Sequence, residues 1–226
     1  KAYAAAGADI FAVDILDQFD ETRRLVESAG RRIAVLRTDL AAAAAIPPVV
    51  ESAVKAFGRI DILFNNAGII RRANILEFSE QDWDEVMDLN IRAAFLLSQA
   101  AARVFVSQGG GKIINVCSML SFQGGLYVPS YTASKSALLG VTRAMANELA
   151  PLGINVNAIA PGYFAGVGNK AIRDDPVRNQ QILDRIPAGR WGQYEELAGL
   201  AIYLASSASD YCHGGVYPVD GGWLAR

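Results

Sequence analysis

Three side chains in the middle of the sequence could together move a proton to or from a carbonyl oxygen: Ser118, Tyr131 and Lys135. Tyr131 and Lys135 are four residues apart in a segment that predicts a helix, so they share one helical face about one turn apart. A free phenol has a pKa of about 10, and a neighbouring ammonium lowers it towards the working pH, where a general acid–base is most effective. A tyrosine four residues before a lysine is also a common pair on solvated helices, so the surrounding elements decide its meaning.

Short apolar runs alternate with helical segments along the whole chain. The runs predict buried parallel strands at residues 8–15, 32–36, 60–64, 112–116, 154–159 and 215–219, and the helical segments cover 20–29, 47–57, 79–107, 130–150 and 193–205. Ser79, three residues before Asp82, is typical of a helix N-terminus. This order predicts an α/β fold, a single Rossmann-like domain over residues 1–226 with a doubly wound parallel sheet. Ser118 then follows a strand at the carboxyl edge, where such sheets bind ligands.

The composition excludes several other classes of protein. The net charge of −2 offers no basic field for nucleic acid. Charged, Gly or Pro residues break the apolar stretches before the roughly 20 residues that a transmembrane helix needs. Cys117, Cys212 and His213 have neither the number nor the spacing of a disulfide framework or a metal site. The sequence therefore predicts a cytoplasmic protein with no bound metal.

Further motifs accompany the three side chains in a fixed order: Asn65-Asn66-Ala67-Gly68, Asn90, Thr132-Ala133-Ser134 between Tyr131 and Lys135, Pro161-Gly162 and Asp220-Gly221-Gly222. In this order and spacing, the chain resembles the short-chain dehydrogenase/reductase family over essentially all its residues. The resemblance implies hydride transfer between a nicotinamide cofactor and a hydroxyl carbon, with Tyr131 as the acid–base and Ser118 on the substrate oxygen. It also implies that Lys135 lowers the pKa of Tyr131 and binds the nicotinamide ribose, and that Asn90 holds a water molecule.

The same resemblance implies which residues hold the cofactor. Asp14, at the end of the first predicted strand, would accept hydrogen bonds from the adenosine ribose and repel a 2′-phosphate. Ile15 follows where an arginine would suit NADP, so NAD is the expected cofactor. Further contacts are implied for Tyr131 and Lys135 at the nicotinamide ribose and for Phe164 at the nicotinamide. On the other side of the cofactor, contacts with the adenine are implied for Asp39 and Leu40, and contacts with the adenosine for Asn66, Ala67 and Gly68.

Two positions depart from the family pattern. The Gly-rich turn that holds the pyrophosphate is absent, because the chain begins about where the helix after that turn should end. We therefore expect the family's first strand and its Gly-rich turn, which would come before the strand at residues 8–15, to be missing from the sequence. The family often has a threonine four residues after Gly162 to bind the nicotinamide carboxamide, and Gly166 stands there instead.

The loops indicate the substrate class. Residues 118–125, 182–191 and 220–226 resemble the sugar-acid dehydrogenases of the family, which implies a substrate of the 2-deoxy-gluconate or 2-keto-3-deoxy-gluconate type. Such an acid needs a cation for its carboxylate and polar groups for its hydroxyls. Arg71, Arg72 and Gln123 are the candidates, although each arginine could equally be a solvated loop residue. Residues around 163–190 would form a lid over the substrate.

Two alternative functions remain possible, and the sequence also predicts an oligomeric state. The first alternative is a 3-oxoacyl-thioester reductase of the same family, which would prefer NADPH and so conflicts with Asp14. The second is a non-catalytic scaffold that keeps the fold. The apolar faces of helices 79–107 and 130–150, together with the resemblance, predict a homo-oligomer, specifically a tetramer.

Overall fold

The computed structural model describes residues 1–226, apart from the side chain of Val167. The strands are β1 (Ile10–Asp14), β2 (Ile33–Arg37), β3 (Ile62–Asn65), β4 (Gly111–Val116), β5 (Ile154–Pro161) and β6 (Val216–Val219). The α-helices are α1 (Ala2–Ala5), α2 (Asp20–Glu27), α3 (Ile46–Phe57), α4 (Glu80–Met87), α5 (Ala94–Gln108), α6 (Pro129–Leu149), α7 (Lys170–Asp174), α8 (Pro176–Leu183) and α9 (Ala198–Ala205). Every predicted strand is confirmed, with small shifts at its ends.

The strands form two parallel sheets rather than one. β1 pairs with β2, and the other four strands pair in the order β3-β4-β5-β6. Residues of both β1 and β3 line a cavity of about 560 Å³. The predicted α/β class and the parallel direction of all strands are confirmed. The prediction of a single sheet is wrong, because neither β1 nor β2 is hydrogen-bonded to the other four strands.

Helices cover both faces of the four-stranded sheet. On one face, Phe105 of α5 and Ala146 of α6 pack against Ile113 and Ile154 of the central strands. On the other face, Leu204 of α9 belongs to a cluster with further residues of β4 and β5. Parallel strands buried on both sides require this arrangement, because neither face can meet water. The doubly wound architecture is therefore confirmed.

A buried amide network fixes the carboxyl ends of β3 and β4 relative to α6. The Asn65 side chain at the end of β3 donates to Asn115 Oδ1 of β4 at 2.8 Å. Asn115 in turn donates to Thr142 Oγ1 of α6 at 2.9 Å. Buried amides are stable only when they are hydrogen-bonded, so this chain of contacts holds the three elements in one register.

The predicted helix over residues 79–107 consists of consecutive pieces. Ser79 Oγ accepts a hydrogen bond from the Asp82 N–H at 3.0 Å, which confirms the N-terminal cap. A π-helical turn, Asp88–Ala93, separates α4 from α5. By length and composition alone, the whole run Glu80–Gln108 could span a membrane. Helices in the core of globular proteins meet the same two criteria, so this is weak evidence for a membrane span. Phe105 on this run is fully buried in the protein core.

The segment after β5 contains α7 and α8. Ile182 and Ile186 pack with Met119, Trp191 and Trp223, so the predicted lid lies against the turn after β4 and against the C-terminal residues. Val167 also belongs to the predicted lid, and its side chain lies outside the described part. The predicted helix over 193–205 begins as a 3₁₀ turn, Tyr194–Leu197, before α9.

Candidate active site

β4 and α6 bring Ser118, Tyr131 and Lys135 to the carboxyl edge of the four-stranded sheet. β4 ends at Val116, and Ser118 continues it with extended backbone. Tyr131 and Lys135 lie in the first turns of α6. The Ser121 hydroxyl donates to the Lys135 carbonyl at 2.7 Å, which ties the turn after β4 to the helix. The predicted trio therefore meets in one place.

Lys135 is buried, and its ammonium group has hydrogen-bond donors that the described residues do not use. Only 3% of the residue is exposed, and Nζ donates to the Val116 carbonyl at 2.6 Å. Burial lowers the pKa of Lys135 to about 8, because the charged form is poorly solvated there. An ammonium has three donors, and this is the one hydrogen bond that Nζ makes within the described residues. The other donors can bind a hydroxyl of a ligand.

The pKa of Tyr131 does not shift in the expected direction. Burial of the phenol raises its pKa, while the Ser118 hydroxyl and the positive charge of Arg72 act to lower it and Cys117 acts to raise it. Lys135 Nζ lies over the face of the Tyr131 ring, 5.6 Å from its centroid. The expected net fall in the pKa of Tyr131 is therefore not found, because desolvation exceeds the effect of the neighbouring groups.

Asn90 lies in the π-helical turn and holds the loop that follows β3. Its Oδ1 accepts from the Ile69 N–H at 2.8 Å, and its Nδ2 donates to the Ile69 carbonyl at 2.9 Å and to Ser134 Oγ at 3.2 Å. A Cβ at Gly68 would lie 3.2 Å from Asn90 Oδ1 and 3.7 Å from Lys135 Nζ. Gly68 therefore lets the loop approach both side chains closely. π-Helical turns are frequent at functional sites, and this one places Asn90 beside Lys135.

The residues predicted for the adenosine side lie along the cavity between β1 and β3. Asp14, Leu40, Asn66 and Ala67 contribute to its wall. Asp14 is exposed, and its Oδ1 accepts from the Leu16 N–H at 2.8 Å. Oδ2 of Asp14 has no hydrogen-bond partner in the described part of the chain, so it is available to a ligand. Leu40 is buried against the α3 side of the core, as expected for an apolar contact.

A second carboxylate lies nearby on the segment after β2. Asp39 Oδ1 accepts from the Ala41 N–H at 2.9 Å, which shapes the turn between β2 and α3. Asp39 therefore has a local structural role in addition to the adenine contact predicted for it.

A nicotinamide dinucleotide fits this set of groups. Asp14 offers an acceptor for ribose hydroxyls at the end of β1, and Lys135 offers donors for a second ribose at the end of β4. Asn66 and Ala67 lie on the exposed turn between these two ends. Phe164 follows β5 at the same edge and is buried, with its ring parallel to the Tyr194 ring at a centroid distance of 6.1 Å.

The two candidate arginines differ in whether their charges are paired with an acidic residue. Arg71 Nη2 lies 2.8 Å from Glu85 Oε2, and its Nε is 3.4 Å from Asp82 Oδ1, so Arg71 is paired with α4. Arg72 is exposed and has no hydrogen bond or ion pair among the described residues. Burial raises the pKa of both Tyr131 and Tyr163, and the charge of Arg72 makes a smaller, opposite contribution at both, so Arg72 lies within electrostatic reach of the site. Arg72 is therefore the better placed of the two arginines.

Gln123 leads to a residue that the sequence analysis missed. Its Oε1 accepts from Arg185 Nη2 at 2.9 Å, and the Arg185 guanidinium lies 4.1 Å from the centroid of the Trp223 ring. Tyr163 contacts the Trp223 ring edge-on, with a centroid distance of 4.9 Å. Arg185 lies within residues 182–191, which carry the resemblance to sugar-acid dehydrogenases. Its contact with Gln123 could not be read from the sequence, because it joins residues 62 positions apart. In the described residues, no three His, Cys, Asp or Glu side chains come together as a metal site.

Comparison with known proteins assigns the family. The family model described as Enoyl-(Acyl carrier protein) reductase matches residues 1–224. The 2-dehydro-3-deoxy-D-gluconate 5-dehydrogenase of Escherichia coli (strain K12) is 58% identical over 224 residues, which cover 99% of this chain and 88% of that protein. The chain belongs to the short-chain dehydrogenase/reductase family. A second family member with the same name, from Bacillus subtilis (strain 168), is 50% identical and covers 100% of this chain and 89% of that protein.

Solved structures of the family agree in fold. A gluconate 5-dehydrogenase from Burkholderia cenocepacia J2315, in complex with NADP and tartrate, is 38% identical with a TM-score of 0.95, over 100% of this chain and 89% of that one. An NADP-bound structure from Agrobacterium tumefaciens is 50% identical with a TM-score of 0.92, over the same shares of the two chains. The chain is therefore a short-chain dehydrogenase/reductase by both sequence and structure, and these two solved relatives hold NADP.

Proposed function

We propose that this protein interconverts a hydroxyl and a keto group on a six-carbon sugar acid, of the 2-deoxy-gluconate or 2-keto-3-deoxy-gluconate type. The observation that carries the proposal is the meeting of Ser118, Tyr131, Lys135 and Asn90 at one edge of the sheet. The names of relatives that are 50% and 58% identical support the substrate class. The chain's membership of an oxidoreductase family supports the reaction type.

Tyr131 and Ser118 act on the reacting oxygen. A bound nicotinamide dinucleotide supplies the hydride acceptor for oxidation and the hydride donor for reduction. In reduction, Tyr131 Oη gives its proton to the carbonyl oxygen. In oxidation, Tyr131 must first lose its own proton, and the phenolate then takes the proton of the substrate hydroxyl. The Ser118 hydroxyl donates a hydrogen bond to the same substrate oxygen. Because burial raises the pKa of Tyr131, the resting phenol is protonated and ready to donate to a ketone.

Lys135 and Asn90 position the reactants. Lys135 would hold the nicotinamide ribose with the ammonium donors that Val116 leaves free. Asn90 keeps the loop after β3 against Lys135 through its two bonds to Ile69, and its amide would also hold a water molecule that links Lys135 to solvent. Both roles fix geometry, which can supply a large share of rate enhancement.

For the cofactor, NAD is the proposed preference. The exposed carboxylate of Asp14 favours ribose hydroxyls and repels a 2′-phosphate. The NADP-bound relatives set the competing possibility. Arg37 of β2 is the strand neighbour of Asp14 of β1, and its Nε donates to the Ile15 carbonyl at 3.1 Å. A cation therefore lies close to the site proposed for the adenosine ribose. The balance between Asp14 and Arg37 decides the cofactor.

Arg72 is the proposed receptor for the substrate carboxylate, with Gln123 and Arg185 for its hydroxyls. The Ala73 N–H donates to the Tyr127 carbonyl at 3.1 Å, which ties the segment after Arg72 to the loop before α6. Residues around 163–190 would cover the bound acid, since they already pack on Met119 beside Ser118. Arg71 is a weaker candidate because Glu85 neutralises it.

The proposed assembly is a cytoplasmic homotetramer. Phe95 and Val106 on α5 are 39% and 49% exposed, so apolar side chains remain for a second copy of the chain to cover. Size-exclusion chromatography with light scattering distinguishes a tetramer from a dimer or a monomer.

A spectrophotometric assay tests the function. Full-length protein is mixed with NAD or NADP and a panel of sugar acids, and the absorbance of the reduced cofactor is followed. We expect turnover with NAD and a deoxygluconate-type acid, and a loss of about 10²-fold or more in Tyr131→Phe, which keeps the ring and removes the proton donor. Near-normal turnover in Tyr131→Phe would refute the acid–base assignment.

The same assay separates the alternatives. Turnover of 3-oxoacyl thioesters with NADPH, without turnover of sugar acids, would establish the acyl reductase instead. Absence of any nicotinamide cofactor binding in calorimetry would leave the non-catalytic scaffold.

A further inference from the structure

Two glycines beside Phe164 leave space that aromatic side chains occupy. A Cβ at Gly192 would lie 2.7 Å from the Phe164 ring, and a Cβ at Gly166 would lie 1.7 Å from the hydroxyl of Tyr194. The second distance is far shorter than any contact between real atoms. The Tyr194 hydroxyl therefore fills the volume in which a side chain of residue 166 would begin.

Tyr194 is held in this position by its ring. The ring is parallel to that of Phe164, with an interplanar angle of 6°. The backbone beneath it is fixed because the Ala165 N–H donates to the Gly192 carbonyl and the Gly192 N–H donates to the Tyr163 carbonyl, each at 2.9 Å. The hydroxyl itself has no hydrogen-bond partner within the described part of the chain, and the residue is 57% exposed. Stacking on Phe164 orients the phenol in advance, which lowers the entropic cost of binding a ligand through its hydroxyl.

The Tyr194 hydroxyl lies against Gly166, on the segment that leaves the carboxyl edge of the sheet after β5. Gly166 is on the segment that continues β5, and β4 and β5 are parallel neighbours with Val116 opposite Ile159. Tyr163 at the start of that segment packs in one cluster with Met119, the residue after Ser118. The free hydroxyl of Tyr194 thus lies against the segment that contains Phe164, the residue expected to contact the nicotinamide.

We infer that Tyr194 is a cofactor-binding residue that hydrogen-bonds the carboxamide of the nicotinamide. A carboxamide carries both a donor and an acceptor, and a phenol hydroxyl can pair with either. The family often has a threonine hydroxyl at position 166. Here Gly166 and Tyr194 supply a hydroxyl to the same place from another part of the chain. This inference rests on the proposed use of a nicotinamide cofactor.

Direct binding tests the inference without requiring turnover. The affinity of full-length protein for the reduced dinucleotide is measured by calorimetry, in the unaltered chain and in Tyr194→Phe, which keeps the stacked ring and removes the hydroxyl. We expect Tyr194→Phe to bind the dinucleotide roughly two- to tenfold more weakly, the effect of one hydrogen bond. ADP-ribose lacks the nicotinamide, so its affinity should be equal in the two proteins.

A rescue experiment tests the shared position. Gly166→Thr alone should lower the melting temperature, because its Cβ would collide with Tyr194. Tyr194→Ala removes the hydroxyl and opens the space, and the double variant Tyr194→Ala/Gly166→Thr should bind the dinucleotide more tightly than Tyr194→Ala.

The outcomes separate this inference from the function on which it rests. If the unaltered protein binds no dinucleotide, the proposed function fails and takes the inference with it. If the unaltered protein binds and Tyr194→Phe binds equally well, only the inference is overturned. An equal loss of affinity for the dinucleotide and for ADP-ribose would also overturn it, because the contact would then lie away from the carboxamide.

Discussion

Replacing Lys135 with methionine should abolish turnover and at the same time stabilise the free protein. Burial lowers the pKa of Lys135 from 10.5 to about 8. A difference of about 2.5 in pKa corresponds to about 3 kcal/mol against the charged form at neutral pH. Methionine has a similar shape without the charge, and the lost hydrogen bond to the Val116 carbonyl offsets about 1 kcal/mol. The expected net gain is about 2 kcal/mol, or roughly 4–8 °C in Tm for a chain of this length.

The gain should depend on pH in a defined direction. Between pH 8 and 10.5 the unfolded chain holds the Lys135 proton that the folded chain has lost. The free energy of unfolding of the unaltered protein therefore rises with pH in this range, by about 1.4 kcal/mol per pH unit at most. Lys135→Met lacks this contribution, so its advantage should be largest near pH 7.5 and close to zero near pH 9.5. Titrating groups away from Lys135 affect both proteins equally and cancel in the difference. Cys117 is the exception, because the Lys135 charge acts to lower its pKa.

Urea denaturation of both proteins at pH 7.5 and 9.5 measures this difference. Lys55→Met provides the matched control, because Lys55 is exposed on α3 and pays no burial penalty. Its stability should stay within about 0.5 kcal/mol of the unaltered protein at both pH values. If Lys135→Met is less stable than the unaltered protein at pH 7.5, or if its advantage is the same at both pH values, the reasoning from burial is wrong.

Three further changes test the cofactor, substrate and loop assignments. Asp14→Ser should raise the kcat/KM for NADP relative to NAD by roughly tenfold, because it removes a charge that repels the 2′-phosphate while Arg37 remains; an unchanged ratio in steady-state kinetics would contradict the role of Asp14. Arg72→Leu should raise the KM for the sugar acid by about tenfold or more and leave the KM for the cofactor unchanged. Arg71→Leu is its matched control, and an equal effect in both variants would show that the carboxylate does not select Arg72. Asn90→Ala should lower the free energy of unfolding by about 2–3 kcal/mol in urea denaturation, because it leaves the backbone of the loop after β3 without its partners. A smaller loss than 1 kcal/mol would mean that the loop holds itself in place.

The fold class could be read from the sequence because its signals are local. Short apolar runs that alternate with helical segments predict parallel strands, and all six strands were found. Ser79 was recognised as a cap because the hydrogen bond to the Asp82 N–H spans only three residues. The π-helical turn at Asp88–Ala93 was not predicted, since the apolar pattern on either side of it is that of an ordinary helix.

The candidate site was predictable to the same extent. Tyr131 and Lys135 share a helix, so their spacing alone places them together, and Ser118 follows the neighbouring strand. Arg71 and Arg72 are adjacent and look equivalent in sequence, but the pairing of Arg71 with Glu85 leaves Arg72 as the free cation within the described residues.

By itself, then, the amino-acid sequence determined the order of strands and helices and the identity of the side chains at the carboxyl edge, because spacing along one element sets which face each residue occupies. Only the tertiary structure decided how those groups ionise and what surrounds them. The pKa of Tyr131 rises instead of falling because burial depends on contacts from the whole chain. The Tyr194 hydroxyl reaches Gly166 because two distant segments pack side by side. Desolvation and long-range packing depend on three-dimensional proximity, which no local pattern records.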